Sequence, residues 1–213
     1  MDSKFKNEAN LYAAGAWWSQ KKPSVPLTIV TQLSSNRISQ LWAQCKTFPG
    51  TISAAVHLGL YQEQSKPLSL RNNANVKKAI RNLSEFHKSV ERDASACILD
   101  IVLVYEIHSE KRALLLYPVN QLRNIARLQA RTELIALMDV DMLLSSKLPR
   151  WMSEKENVEV MTRTCAQRKV YVTPAFETYR QNNTSPAQDV ETADQLSRQS
   201  KSFLIRSIKS GEF

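Results

Sequence analysis

Asp139 and Asp141 stand one residue apart, directly after the apolar run Leu134-Ile135-Ala136-Leu137-Met138. That order suits a metal and phosphate site. The run reads as a short strand buried on both faces. Carboxylates are costly inside such a strand and cheap at its exposed end. Two of them there offer hard oxygen ligands to Mg2+ or Mn2+, and water and substrate phosphate fill the remaining positions. A metal so held neutralises charge on a departing diphosphate. An Asp-x-Asp pair also occurs in ordinary solvated loops, so the surrounding elements decide its meaning.

Those elements alternate. Leu27 to Leu33 predicts a strand, and 36–46 carries Ile38, Leu41, Trp42 and Cys45 at helical spacing before Phe48-Pro49-Gly50 ends the unit. Thr51 to His57 predicts a second strand, and Asn75 to Arg92 a second helix with Val76, Ile80, Leu83 and Phe86 on one face. Ile98 to Tyr105 supplies a β-branched third strand, and Val119, Leu122, Ile125, Ala126 and Leu128 mark a helix just ahead of the aspartate strand. This repetition predicts an α/β fold with a mostly parallel sheet and helices on both sides. Ligands of such sheets lie beyond the carboxyl ends of the strands, where Thr31, Gln32, Asp139 and Asp141 all fall. Only four glycines are present and none forms a Gly-rich phosphate loop, which argues against P-loop enzymes and dinucleotide-binding dehydrogenases.

Composition sets outer bounds. A chain of 213 residues, 43% hydrophobic and 23% charged, is long enough for one soluble domain with a sizeable core. A net charge of +9 and a pI near 9.6 suit a polyanionic partner such as nucleic acid, anionic glycan or nucleotide-sugar phosphate, or simply solubility. The basic residues are scattered, without zinc-ligand spacing or an RNA-binding aromatic signature, so no nucleic acid partner is expected. Cys45, Cys97 and Cys165 are too few and too widely spaced for a disulfide framework, and Cys45 and Cys97 read as buried free thiols. His57 ends a strand while His87 and His108 sit in charged segments, which makes them strand-end or surface residues rather than ligands. Leu11 to Trp18 is an apolar patch too short to span a membrane. No signal or anchor is expected in this chain, the patch packs on the domain surface, and residues 1–24 read as an N-terminal tail ahead of a domain over 25–213 that starts near Val25.

Several separated blocks carry a family resemblance: Val30-Thr31-Gln32-Leu33-Ser34 with Arg37, Pro49-Gly50-Thr51-Ile52-Ser53, Tyr117-Pro118-Val119-Asn120 with Leu122-Arg123-Asn124, Asp139-Val140-Asp141, and Val172-Thr173-Pro174-Ala175-Phe176-Glu177. In order and spacing the chain resembles the glycosyltransferase family of the LARGE-type glucuronyltransferase domain and its relative, the beta-1,4-glucuronyltransferase. The resemblance covers roughly Val25 to Phe213 and is weakest over Tyr61 to Ser95. It implies a GT-A type, Rossmann-like nucleotide-sugar fold. It further implies Mn2+-dependent, inverting transfer of glucuronic acid from a UDP-sugar donor to a glycan or glycoprotein acceptor in the Golgi lumen.

Residue by residue, the resemblance makes Asp139 and Asp141 the metal pair, with one of them also orienting ribose or donor sugar. It places Thr31 and Gln32 near uridine, and sets Asn120, Arg123 and Asn124 on the helix before the metal strand. A guanidinium there neutralises donor carboxylate or phosphate, or pairs with a nearby acid. Glu177, after the strand-like run Val170-Tyr171-Val172, faces donor sugar or acceptor, or is a buried hydrogen-bonded carboxylate. Tyr117 and Pro118 read as packing residues that fix the helix entrance. The resembling domains continue past the position of Phe213, into parts that supply a histidine ligand and the carboxylate base an inverting transfer needs, so a donor-binding part, incomplete at its C-terminus, is expected. The family's membrane helix is missing too, which leaves the cytoplasm open as a location. Gln181 through Asp189 reads as a polar loop and Ala193 to Ile208 as a helix. Asn82-Leu83-Ser84 and Asn182-Asn183-Thr184 would accept glycans in a secretory lumen. Three classes stay open: an active glucuronyltransferase, an incompetent relative that binds nucleotide sugar or a partner, and a basic interaction domain.

Overall fold

The computed structural model describes residues 10–63, 67–145, 147–175 and 186–210. Five strands, β1 (Tyr12–Trp17), β2 (Leu27–Ser34), β3 (Thr51–Tyr61), β4 (Ile98–His108) and β5 (Leu134–Leu137), form one sheet in the order β1-β4-β3-β2-β5. β2, β3, β4 and β5 run parallel and β1 joins β4 antiparallel. Helices α1 (Ile38–Thr47) and α2 (Leu70–Arg92) make the crossovers from β2 to β3 and from β3 to β4, while a 3-10 turn (Lys111–Leu115) and α3 (Val119–Leu128) lead from β4 to β5. Further helices follow as α4 (Lys147–Trp151), α5 (Lys155–Ala166), α6 (Pro186–Ser197) and α7 (Lys201–Ser210).

The sheet has a core on each face because β2, β3 and β4 are apolar on both. Ile29, Leu33, Ile52, Leu99 and Leu103 pack with Leu41 and Cys45 of α1 and Leu83 and Val90 of α2. On the other face Val30, Ala55 and Val104 meet Leu122 and Ala126 of α3. The chain steps from β2 to β3 to β4 in one direction and then places β5 on the far side of β2. The strand order therefore reverses between β2 and β5, the switch point at which such sheets open a crevice.

Local chemistry sets the boundaries. Ser69 caps α2, its hydroxyl accepting from the Asn72 amide at 3.2 Å. Gly50 is required where it stands, since a Cβ would fall 2.5 Å from Cζ of the fully buried Phe48 ring. At the C-terminal end of α2 the Lys21 ammonium donates to four carbonyls, of Val90 (2.8 Å), Asp93 (2.7 Å), Ala96 (3.2 Å) and Cys97 (3.1 Å). It satisfies the orphan end of the helix and its negative dipole at once. Lys21→Met is expected to lower stability by about 2 kcal/mol, on the scale of hydrogen bonds to charged groups, and Tm by roughly 6 °C. An unchanged melting curve would show that the carbonyls find other partners.

The structure corrects several expectations. The apolar patch near the N-terminus is part of the sheet as β1, so the fold begins upstream of Val25, and Tyr12 stacks on Tyr105 across the ladder at 5.3 Å. β5 is an edge strand rather than one buried on both faces, with Ile135 and Leu137 exposed. β3 and β4 run on to Tyr61 and His108, and α2 begins at Leu70, each beyond the expected limit. Leu128 stands exposed rather than on the buried face of α3, and Val170, Tyr171 and Val172 are exposed and form no strand. The expected tail helix is two helices, the first starting at Pro186 inside the expected polar loop. Cys45 and Cys97 are buried as expected but are joined in a disulfide, and Cys165 is free.

Candidate functional site

The Asp-Val-Asp turn follows β5, whose pairing with β2 extends to a bond from the Met138 amide to the Val30 carbonyl (3.1 Å). Three features fix the turn. The Met142 amide bonds back to the Asp139 carbonyl (3.0 Å), and Val140, 1% exposed, inserts into the α1-side core. The amide of Gln44, itself buried on α1, donates to the carbonyls of Asp139 (3.3 Å) and Met142 (3.0 Å). With the middle residue anchored, the flanking carboxylates are turned toward solvent, about half exposed, at the end of β5.

Two elements converge on the Asp139 carboxylate. Arg123 of α3 donates to its Oδ1 at 2.8 Å, and Gln32 of β2 donates through Nε2 to the same oxygen at 3.0 Å. Gln32 is itself oriented, because the Tyr117 hydroxyl donates to its Oε1 at 2.6 Å. Burial pushes the Tyr117 phenol up to about 12; the nearby Asp139 charge adds to this and Arg37 and Arg123 oppose it. The phenol is therefore a proton donor throughout the working range, so the Gln32 amide keeps its N–H toward Asp139. Asp141 pairs at 3.5 Å with Arg37 just ahead of α1; both side chains are about half exposed, so the pair contributes little to stability.

Not every expected residue is here. Thr31 is fully buried on the opposite face of the sheet, its parity matching Ile29 and Leu33, so its side chain does not line a crevice shared with Gln32. Asn120 and Asn124 lie exposed on α3, without a bond to either aspartate. Glu177 and the Asn182-Asn183-Thr184 triplet lie outside the described residues. Tyr117, expected only to pack, is a hydrogen-bonding member of the site.

The three histidines are buried, contrary to expectation. His87 bonds the Leu99 carbonyl (3.0 Å), whereas His57 and His108 flank Glu106, each with Nε2 at 3.5 Å from its Oε2. The signal was available: Val104, Glu106 and His108 share one face of β4, with polar residues where a buried strand should be apolar.

A mostly parallel α/β sheet, with a carboxylate pair held at its switch point, defines a GT-A-like glycosyltransferase domain. Comparison with known proteins specifies it further: residues 26–212 match the family described as glycosyl-transferase for dystroglycan, and the chain belongs to that family. It is 30% identical over 165 residues to the xylosyl- and glucuronyltransferase LARGE2 of Homo sapiens, covering 78% of this chain and 19% of that protein. The LARGE1 protein of Danio rerio is 29% identical over 170 residues, 80% of this chain and 19% of its own. For LARGE1 of Homo sapiens the figures are 26% over 198 residues, 89% and 22%. The chain thus spans about a fifth of the length of the curated relatives it matches.

Proposed function

We propose that the crevice between β2 and β5 binds a UDP-sugar, with glucuronic acid as the sugar, and passes it with inversion to a hydroxyl of a glycan or glycoprotein acceptor. The supporting observation is the Asp139-Val140-Asp141 turn, anchored by Val140 and Gln44 and ringed by Gln32, Arg123 and Arg37. The donor set suits Mn2+, or Mg2+ in its place. It offers hard carboxylate oxygens from two residues, and among the described residues no group of three or more His, Cys, Asp or Glu side chains is gathered to hold an ion alone. Such ions take one or two carboxylates and complete their shell with phosphate and water. Asp139 and Asp141 would hold the ion, which when bound supplies neutralisation of charge on the diphosphate.

The chain's own residues do the rest. Arg123 and Arg37, already at the carboxylates, place guanidinium groups within reach of phosphate or a uronate carboxylate. Asn120 and Asn124, one turn apart on α3, offer amides to ribose or sugar hydroxyls. The Cys45–Cys97 disulfide supports an oxidising secretory compartment, the Golgi lumen, as the site of action. No helix among the described residues is long and apolar enough to cross a membrane. A second reading, donor binding without transfer, is favoured by the pairing of both aspartates with arginines at 2.8 and 3.5 Å.

Calorimetric titration of UDP into the chain, with Mn2+ and then with EDTA, is the direct test. Binding present with Mn2+ and abolished by EDTA is expected, whereas heat that ignores the chelator, or no heat at all, would sink the donor reading. Release of UDP from UDP-glucuronic acid upon adding a glycan acceptor then separates transfer from binding alone.

A further inference from the structure

Among the described residues the buried Nε2 atoms of His57 and His108 have no hydrogen-bond partner, although the Glu106 carboxylate lies between them at 3.5 Å from each. All three residues are more than nine-tenths buried, on the α3 side of the sheet and toward the carboxyl ends of β3 and β4. A buried carboxylate without a balancing charge is expensive. One proton on the flanking imidazoles makes the cluster neutral; with none it is a buried anion, and with two it is a buried cation.

This cluster touches the site already described. The His57 ring stands edge-on to the Tyr117 ring, 5.5 Å between centroids at 82°. Tyr117 donates to Gln32, which donates to Asp139.

We propose that His57, Glu106 and His108 are positioning residues of the donor site: one proton shared across the cluster holds the His57 ring against Tyr117, and Tyr117 through Gln32 sets the orientation of Asp139. The proposal rests on the donor-site reading and extends it to residues that touch neither metal nor sugar. The groups facing His57 are Glu106 and His108 from β4 and the Tyr117 phenol ahead of α3; Arg37, Arg123 and Asp139 act on Tyr117 in turn, and Lys111 stands over Tyr61, the register partner of His108. Burial lowers the His57 pKa below its ordinary value, against the pull of Glu106 and with the help of His108. His57 therefore carries a proton only on the acid side of the usual histidine range. There the cluster turns cationic, and the hold on Tyr117 loosens.

Two measurements test this together. Ring-nitrogen NMR of the histidines follows the shared proton without reference to any ligand. In the wild type the His57 and His108 signals titrate as a linked pair, and Glu106→Gln, which keeps the shape and removes the charge, unlinks them. Mn2+-dependent binding of UDP-glucuronic acid is measured in parallel across pH in wild type, Glu106→Gln, Tyr117→Phe and the double variant, each checked for folding by circular dichroism. This donor is a diphosphate diester and carries no titrating proton in the range. Each single variant is expected to weaken binding about tenfold, on the scale of outer-shell partners. Glu106→Gln should also flatten the acid limb, and the double variant should be no weaker than Tyr117→Phe alone.

Independent titration of the two histidines, unchanged by Glu106→Gln, would overturn the proposal. So would wild-type binding that Asp139→Ala abolishes while Glu106→Gln leaves affinity and pH profile intact. Absence of binding in the wild type would overturn the donor reading and this inference with it. Tyr117→Phe keeps the test alive should Glu106→Gln fail to fold.

Discussion

Arg131→Met is expected to lower stability by about 3 to 5 kcal/mol, the usual cost of removing one partner of a buried ion pair, and to lower Tm by roughly 10 °C. The reason lies in Asp100, whose side chain is 1% exposed on β4. It accepts from Arg131 through Nε on Oδ2 and Nη2 on Oδ1, both at 2.6 Å, and from the Ser19 amide at 2.9 Å. Arg131 also donates to the Ser19 carbonyl at 2.7 Å, so one guanidinium ties the segment after β1 to β4 and to the approach to β5. Without it a carboxylate stays buried with a single donor. The double variant Asp100→Leu with Arg131→Met should recover most of the loss, since it removes the stranded charge together with its partner. A Tm for Arg131→Met within a degree or two of wild type would contradict this account.

Asp139→Ala is expected to reduce Mn2+-dependent UDP affinity by at least about 100-fold, beyond the range typical of outer-shell partners, while leaving the fold intact. Asp139 is where Gln32 and Arg123 meet, so the substitution removes a hard oxygen ligand and the anchor for both neighbours. Its half-exposed side chain contributes little to the core, and Val140 and Gln44 still hold the turn. Titration calorimetry beside a melting curve separates the two effects. Full affinity in this variant would remove the metal reading, and a collapsed melting curve would make the aspartate structural.

Much of the framework was legible because buried parallel strands are apolar runs and their crossover helices keep a 3.6-residue period. Leu27–Ser34 and the N-terminal parts of Thr51–Tyr61 and Ile98–His108 follow that rule. β1 escaped because Tyr12–Trp17 carries small residues with a glycine and a register shift between Ala13 and Gly15, so no strand alternation stands out. The edge position of β5 was invisible because an apolar run does not say how many neighbours it has. Pairing of Cys45 with Cys97 belongs to tertiary structure, which brings the end of α1 beside the start of β4.

At the site, strand ends put Gln32 and Asp139 at one crevice and left Arg123 open to pairing with an acid, while the bonds that join both to Asp139 belong to tertiary structure. The separation of Thr31 from Gln32 follows a rule the sequence does contain: neighbours on a strand face opposite ways, so a crevice that takes the Gln32 side chain does not take that of Thr31. His87 and His108 were misjudged because charged neighbours in sequence were read as solvent, whereas α2 sets His87 against the Leu99 carbonyl and the extension of β4 carries Glu106 and His108 inside.

The disulfide has a topological meaning for the crevice. It turns the chain between Cys45 and Cys97 into a closed ring holding β3 and α2, with Gln32 on one free arm and Asp139 on the other. Of the 107 residues separating Gln32 from Asp139, the cross-link short-circuits 52. Closing that shorter path costs about 0.6 kcal/mol less entropy, the value of one halving of loop length. The two arms find each other beside a ring that already carries His57, the residue packed edge-on against Tyr117.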